Sequence, residues 1–199
     1  RCVICVPLPW ILSHTIDLPD LPPSDEIDFL HLQAEREFPF SAEDLSLSVS
    51  RFTVPGGKNR ATLAAIPSSH IAILQKVFKA AKLRPVSLTI GIASLQDGSA
   101  ISGKVILRLK ESGIEFLIRA ANGIAALRCF QADIHLDGEE TVKTIVREIR
   151  ISLGQLDENL RKTIHEAVVY GTEERFLPLL HDLQDASESL NVSIKRENL

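Results

Sequence analysis

Gly56-Gly57-Lys58 is the group of residues in this chain that most suggests chemistry, because glycines followed by a lysine occur in loops that bind phosphate. A phosphate-binding loop of this type also needs a glycine where the chain has Phe52, and a serine or threonine where it has Asn59. Neither requirement is met. The segment is therefore typical of a hairpin turn between two strands.

Cysteine, histidine and acidic side chains do not form a recognisable catalytic or metal site. Cys2 and Cys5 have the spacing of a redox motif, but they lie in an apolar run that predicts a strand, whereas that chemistry needs a helix N-terminus. His31 and Glu35 share a predicted helix face, which more often means a partly buried histidine beside a carboxylate. No pair among the six histidines has zinc-ligand spacing with a third partner. We therefore predict no catalytic and no metal-binding residues.

The composition excludes several classes of function. The net charge of −4 and the 5% of aromatic residues argue against nucleic-acid binding, which uses basic patches and stacking side chains. No apolar run approaches the roughly 18 residues that span a bilayer, so direct membrane insertion is not expected. Three cysteines cannot form a disulfide framework, which favours a cytoplasmic protein. The chain starts at Arg1 and contains no methionine, so we expect a fragment, a processed product or a trimmed chain.

The elements of the first half follow the order α-β-β-α-β over residues 19–93, which predicts a ferredoxin-like subdomain. The first helix ends near Phe38, because Pro39 disfavours helical geometry at the preceding residue. Leucine and valine then alternate with serine over residues 45–50, as in a half-buried strand. The second helix carries Leu74 and Phe78 at helical spacing, so we expect both side chains in the core. A strand over residues 86–92 closes the unit.

The second half, residues 94–199, predicts three antiparallel strands followed by a helix, a strand, a helix and a strand. Asn122-Gly123 between the second and third of these strands is a strong hairpin signal. The order is that of an RNase H-like lobe, so the predicted fold class is α+β. Residues 1–18 add two short strand candidates, which we interpret as part of a larger sheet.

Five short motifs occur in an order that resembles the PilM family, the actin-like cytoplasmic proteins of bacterial type IV pilus assembly, and the related cytoplasmic part of type II secretion proteins. The motifs are Ile16-Asp17-Leu18-Pro19, Ala34-Glu35 through Phe38-Pro39-Phe40 and Glu43-Asp44-Leu45, Leu63-Ala64-Ala65-Ile66-Pro67, Ala80-Ala81-Lys82-Leu83-Arg84-Pro85, and Glu148-Ile149-Arg150-x-Ser152-Leu153. Lys82 departs from the pattern, since the family has glycine there. The resemblance covers nearly the whole chain and implies an actin-like fold, with residues 1–18 as remnant strands of the first lobe.

The resemblance also implies where a nucleotide would bind, because actin-like proteins hold ATP between two lobes. Their first phosphate loop, near the start of the first lobe, has no counterpart in this chain. Their second phosphate loop carries Asp-x-Gly, in which the carboxylate orients Mg²⁺ and the glycine admits phosphate. The corresponding residues 105–113 offer Arg108 and Lys110 but no aspartate, and Glu111 lies beyond the predicted strand.

The adenosine side of the site is similarly reduced. The family has a glycine pair after a short apolar strand, whereas this chain has Tyr170-Gly171-Thr172-Glu173 with one glycine. Gly113 and Gly171 are thus weak candidates for cofactor binding. We expect no bound cofactor, with ATP and Mg²⁺ possible only if a missing N-terminal segment restores the site. ATPase activity is not supported by the loops that are present.

Phe38-Pro39-Phe40 is the candidate for partner binding. In the PilM family this neighbourhood receives the short cytoplasmic tail of an inner-membrane pilus protein, which would dock as an extended peptide on a groove or sheet edge. The alternative is that Phe38 and Phe40 are core residues, which is the more frequent role of phenylalanine.

The function expected from this resemblance is that of a non-catalytic cytoplasmic adaptor of type IV pilus assembly. It would lie at the inner membrane through a membrane-protein partner. Two alternatives remain open at this point: a fragment of an active actin-like ATPase, and an adaptor of a type II secretion system.

Overall fold

Ten strands form three sheets in the computed structural model, which describes residues 1–95, 103–110, 113–120, 122–131, 138–171 and 177–197. The strands are β1 (Cys2–Val6), β2 (Leu12–Asp17), β3 (Leu45–Val54), β4 (Lys58–Pro67), β5 (Pro85–Ile90), β6 (Gly103–Lys110), β7 (Gly113–Ala120), β8 (Gly123–Phe130), β9 (Ile164–Tyr170) and β10 (Ser193–Glu197). The α-helices are α1 (Pro23–Glu37), α2 (Ser68–Ala80), α3 (Gly138–Gly154), α4 (Glu158–Arg161), α5 (Leu177–Asp185) and α6 (Ser187–Leu190). Within these ranges, no helix combines the length and the apolar character needed to cross a membrane.

The largest sheet has five strands in the order β10-β9-β6-β7-β8. Neighbours β6, β7 and β8 are antiparallel, whereas β9 and β10 run parallel to β6. Leu107 and Phe116 on one face pack with Ile145 and Ile149 of α3, and the opposite face has a second core cluster that includes Ile106. Burial on both faces explains why β6 and β7 are almost continuously apolar. The topology confirms the predicted RNase H-like lobe and the α+β class.

The second sheet has three antiparallel strands in the order β2-β4-β3, and α1 covers one of its faces. The buried side of α1 packs on Leu45 and Leu63 of the sheet through Leu30, Ala34 and the following residue Phe38. The alternation of leucine and serine in β3 therefore has the expected meaning, since the leucine side of the strand faces a helix.

The predicted grouping of strands into subdomains is wrong at two points. β5 does not close the small sheet but pairs in parallel with β1 in a separate two-stranded sheet. β2, which was assigned to residues 1–18, belongs to the small sheet through its pairing with β4. A ferredoxin-like unit would place β5 beside β2. In this fold β8 instead lies across a face of the small sheet, where side chains of β2 bond to its backbone.

The predicted burial of Leu74 and Phe78 is also wrong, because α2 has no buried residue. Ile73 and Val77 on the same helix are 58% and 56% exposed. The helix lies between β4 and β5 in sequence, and since β5 leaves the small sheet, α2 does not cover that sheet as α1 does. Lys82, which replaces the family's glycine after this helix, has a left-handed backbone with a φ of 55°.

The small sheet meets the large one along a row of hydrogen bonds that we call the hydroxyl seam. Within the part of the chain that the structure describes, β8 is the edge strand of the large sheet, so its outer backbone groups have no strand partner there. Ser13 and Thr15 donate their hydroxyl hydrogens to the carbonyl oxygens of Leu127 and Ala125, at 2.8 and 2.9 Å. The amide of Ile124 donates to the hydroxyl of Ser50 at 2.9 Å. These side chains protect an edge strand that would otherwise be open to further pairing.

Gly123, at the start of β8, is needed for this contact between the sheets. A β-carbon at this residue would lie 2.3 Å from the carbonyl oxygen of Arg51 in β3. The predicted hairpin signal at Asn122-Gly123 thus has a second cause, because only glycine admits the backbone of β3 so closely.

Replacing Gly123 with alanine should lower the free energy of unfolding by about 1–3 kcal/mol, because the added methyl group overpacks against rigid backbone. Gly154→Ala is the matched control, since a β-carbon there meets nothing within 4 Å. That variant should leave stability unchanged or raise it by up to ~1 kcal/mol. Urea denaturation measures both values, and an equal effect of the two variants would contradict the close approach of the sheets.

Candidate functional site

A cleft of about 280 Å³ lies between the small sheet and the β1–β5 pair, and we call it the sheet cleft. Ser46 and Ser48 of β3 line one wall, together with Ala64 of β4. Leu88 and Thr89 of β5 line the opposite wall. The cleft thus lies on the face of the small sheet that α1 does not cover, and it receives the serine side of β3.

The lining of the sheet cleft suits an extended peptide better than a reaction. None of the described residues that line it is charged, so it offers no general acid, general base or metal ligand there. β3 and β5, whose side chains line the cleft, each pair on one side only within the described residues, so each strand keeps one edge free. Free edges supply backbone donors and acceptors, and aliphatic walls accept alternate side chains of an added strand.

The predicted partner-binding residues Phe38, Pro39 and Phe40 lie outside the sheet cleft, on the α1 side of the small sheet. Phe38 is extended at the end of α1 and only 6% exposed, so its ring packs in the core. Phe40 is 40% exposed. A partner-binding role stays a prediction for all three residues, of which Phe40 has the more open ring.

Arg108 and Lys110, the cations of the presumed phosphate loop, both contact Glu115 of the neighbouring strand. Lys110 Nζ lies 2.5 Å from Glu115 Oε1. Arg108 Nε lies 3.4 Å from Oε2, an ion-pair contact without hydrogen-bond geometry. The Glu115 side chain is 3% exposed. A nearly buried carboxylate requires such cations, because an unpaired buried charge is strongly unfavourable.

Glu115 was not among the residues predicted from the sequence, although the residue spacing carries a signal for it. β6 and β7 pair Lys110 with Gly113, and a hairpin with this register necessarily places Arg108 opposite Glu115. Residue type alone identifies the cations Arg108 and Lys110, whereas the pairing of β6 with β7 is needed to place Glu115 opposite Arg108.

The two weak cofactor candidates lie at the same end of the large sheet. Gly113 pairs with Lys110, and Gly171 directly follows Tyr170, which pairs with Arg108 on the other side of β6. Gly113 has a φ of 133°, and a β-carbon there would lie 2.7 Å from the carbonyl oxygen of Phe130, so the hairpin itself requires this glycine. Glu111, Thr172 and Glu173 lie outside the described residues.

Cys129 of β8 is the registered neighbour of Glu115 in β7. Partial burial raises the pKa of the Cys129 thiol, and the negative charge of Glu115 raises it further, while Lys110 lowers it. The thiol therefore resists ionisation, which is the opposite of what a nucleophilic cysteine needs.

One grouping within the described residues has the composition of a metal site: His181, Asp182 and Asp185 on α5. All three side chains are exposed. His181 Nδ1 lies 3.4 Å from Asp185 Oδ2, one turn further along the helix, which is an ordinary surface pair of a helix.

Comparisons with known proteins identify the fold. No family model and no curated protein matches the chain. A solved PilM-PilN type IV pilus biogenesis complex matches with a TM-score of 0.71 and 16% identity, over 94% of this chain and 66% of that one. The cytoplasmic domain of EpsL, an inner-membrane component of the type II secretion system of Vibrio cholerae, matches with a TM-score of 0.55 and 11% identity, over 84% and 60%.

A third structure, a Bacteroides thetaiotaomicron protein with an actin-like ATPase fold and unknown function, matches with a TM-score of 0.51 and 11% identity, over 99% of this chain and 68% of that one. The chain thus spans about two thirds of the length of the structures that it resembles. The predicted actin-like fold, and its likeness to PilM at the level of fold, are confirmed.

The effect of the Glu115 charge on the Cys129 thiol can be tested in a chain that carries Cys2→Ser and Cys5→Ser, so that Cys129 is its one remaining thiol. Glu115→Gln should lower the pKa of the Cys129 thiol, because it removes a negative charge that opposes ionisation. The pH dependence of alkylation by iodoacetamide measures this change, with its midpoint moving to lower pH.

Glu166→Gln serves as the control, since Glu166 contacts Lys195 and is not among the causes of the shift. It should leave the midpoint of alkylation unchanged. An unchanged or higher midpoint in Glu115→Gln would contradict the arrangement of charges at this end of the sheet.

Proposed function

We propose that the chain belongs to a type IV pilus or type II secretion assembly and acts as a non-catalytic adaptor. It binds the cytoplasmic tail of an inner-membrane partner as an extended peptide in the sheet cleft, and this contact brings it to the inner membrane from the cytoplasm. The observation that carries the proposal is an uncharged cleft with two free strand edges, in a fold shared with a solved PilM-PilN complex.

The cleft favours a peptide for two physical reasons. Each backbone hydrogen bond that a peptide forms with the edge of β3 or β5 adds about 1 kcal/mol net, so a short strand reaches useful affinity. Ile66 and Leu88 on the two walls give apolar surface for alternate side chains, and the serine hydroxyls of β3 supply polar contacts. Since the described lining has no charge, recognition rests on shape and backbone bonding.

The lack of catalysis is supported by the charges at the end of the large sheet. A triphosphate at β6 would have to separate Arg108 and Lys110 from Glu115, leaving that nearly buried carboxylate without its cations. Such a separation costs several kcal/mol by order of magnitude. The chain also has no aspartate in β6 to orient Mg²⁺.

Type IV pilus assembly is favoured over type II secretion by the larger TM-score of the PilM-PilN complex, 0.71 against 0.55 for EpsL. PilN is therefore the first partner to test. The identity of neighbouring genes separates the two systems, because pilus genes cluster.

A titration of the chain with a synthetic peptide of the cytoplasmic segment of PilN from the same organism tests the proposal. We expect binding in the micromolar range. Ser48→Arg should weaken it by about tenfold or more, because it places a long charged side chain in the uncharged cleft. Isothermal titration calorimetry measures both affinities.

Ser87→Arg is the matched control, since Ser87 is exposed on β5 and does not line the cleft. This variant should bind the peptide as tightly as the unmodified chain. Absence of binding to the unmodified chain, or equal binding by both variants, would overturn the proposal.

A further inference from the structure

A second cavity, of about 220 Å³, lies on the other side of the hydroxyl seam, between β2, β8 and the end of α3. We call it the seam cavity. Its polar lining differs from that of the sheet cleft, since it includes Arg60 of β4, Arg128 of β8 and Ser152 of α3. No residue described at its lining carries a carboxylate.

The threonine and serine hydroxyls of the seam have no hydrogen left for a ligand in this cavity. Ser13 donates to Leu127, and Thr15 donates to Ala125. The hydroxyl oxygens of Thr15 and Thr62 lie 2.8 Å apart. Because each hydroxyl has one hydrogen and that of Thr15 is directed to a carbonyl, Thr62 must be the donor in this pair.

Ser152 is the exception among the hydroxyls at this cavity. Its residue is 2% exposed, and its Oγ is buried with no hydrogen-bond partner in the described part of the chain. An unsatisfied buried hydroxyl costs about 1–3 kcal/mol, so a native protein normally provides a partner for it. Ser152 is also a lining residue of the cavity, so a turn about its Cα–Cβ bond can bring the hydroxyl to a partner held there.

The two guanidinium groups provide donors and positive charge. Arg128 donates to the Oε1 atom of Gln155, which leaves the amide nitrogen of Gln155 as its free polar group. Arg60 donates through Nε to Asp17 at 2.8 Å, and the Asp17 side chain is 81% exposed outside the cavity. Each guanidinium has five N–H donors, so these bonds use only part of either group. The polar groups left at the cavity are donors with few acceptors among them.

We propose that the seam cavity binds a small oxyanion, a phosphate or carboxylate group, held by Arg60, Arg128 and the hydroxyl of Ser152. Guanidinium groups match the planar arrangement of oxygens in such anions and bind them by charge-assisted hydrogen bonds. The volume of about 220 Å³ exceeds the about 30 Å³ of a water molecule, so the cavity has room for a small anion with a few waters.

The anion would connect β4 of the small sheet with β8 and α3 of the large lobe. A ligand that binds only the folded arrangement stabilises it, and the stabilisation grows with the logarithm of its concentration above the dissociation constant. Binding in the seam cavity would thus strengthen the same contact between the sheets that the hydroxyl seam makes.

Thermal unfolding of the full chain in increasing inorganic phosphate, against NaCl of equal ionic strength, tests this site. The melting temperature should rise with the logarithm of the phosphate concentration once this exceeds the dissociation constant. Arg128→Gln should need about tenfold more phosphate or beyond for the same rise, because it removes a charged donor. Arg147→Gln, an exposed arginine of α3 that does not line the cavity, should show the same rise as the unmodified chain. The same series in acetate separates carboxylate from phosphate binding.

Ser152→Ala provides a second variant that should fold, since it removes a hydroxyl that has no partner. In NaCl it should melt at the same or a higher temperature than the unmodified chain, and it should need several times more phosphate for the same rise in melting temperature. A rise that is linear in phosphate and equal in all four proteins would be the general effect of an excluded salt. That result would overturn the proposal and leave the cavity to water.

Discussion

The arrangement of this chain depends on how the free edge of β8 is satisfied. In a five-stranded sheet with β8 at its edge, outward backbone groups need partners, and hydroxyls of β2 and β3 supply them. This seam holds the small sheet against β8, and open space remains on both sides of it. The sheet cleft lies on one side, against β5, and the seam cavity lies on the other, against α3. Loss of the seam would therefore remove both candidate binding sites together.

The charged end of the large sheet and the uncharged sheet cleft differ in how far their polar groups already have partners within the fold. At the end of β6, Arg108 and Lys110 both contact the nearly buried Glu115, although Glu115 Oε2 has no hydrogen bond among the described residues. At the sheet cleft, β3 and β5 each pair on one side only among the described residues, and the amide of Thr53 at the far end of β3 already bonds to Asn122. Free strand edges favour association with another strand, whereas a ligand at β6 would compete with Glu115 for its cations. This difference favours peptide binding at the cleft.

The sequence allowed the elements to be predicted, but not all of their partners. Alternation in β3 and the Asn122-Gly123 turn identified strands correctly, because these signals are local. The pairing of β5 with β1 joins residues such as Ile4 and Leu88 that are far apart in sequence, and no local pattern reports it. Alternation likewise predicts which residues share a face, but not what covers that face. The alternation in β3 places Ser50 on the polar side of the strand, which suggests exposure to solvent. In the fold, its hydroxyl instead accepts a hydrogen bond from the backbone of β8. At the candidate site, Arg108 and Lys110 were identified from residue type, while Glu115 and the burial of Phe38 required the register and packing of the fold.

Amide hydrogen exchange of the full chain tests the central claim most directly, because it reports on the cleft and on the end of the large sheet in one experiment. The chain is compared alone, with the cytoplasmic segment of the inner-membrane partner, and with Mg-ATP. The account predicts slower exchange in β3 and β5 with the segment, and no change in β6 and β7 with Mg-ATP. Protection of β6 and β7 by Mg-ATP, with β3 and β5 unaffected by the segment, would contradict it.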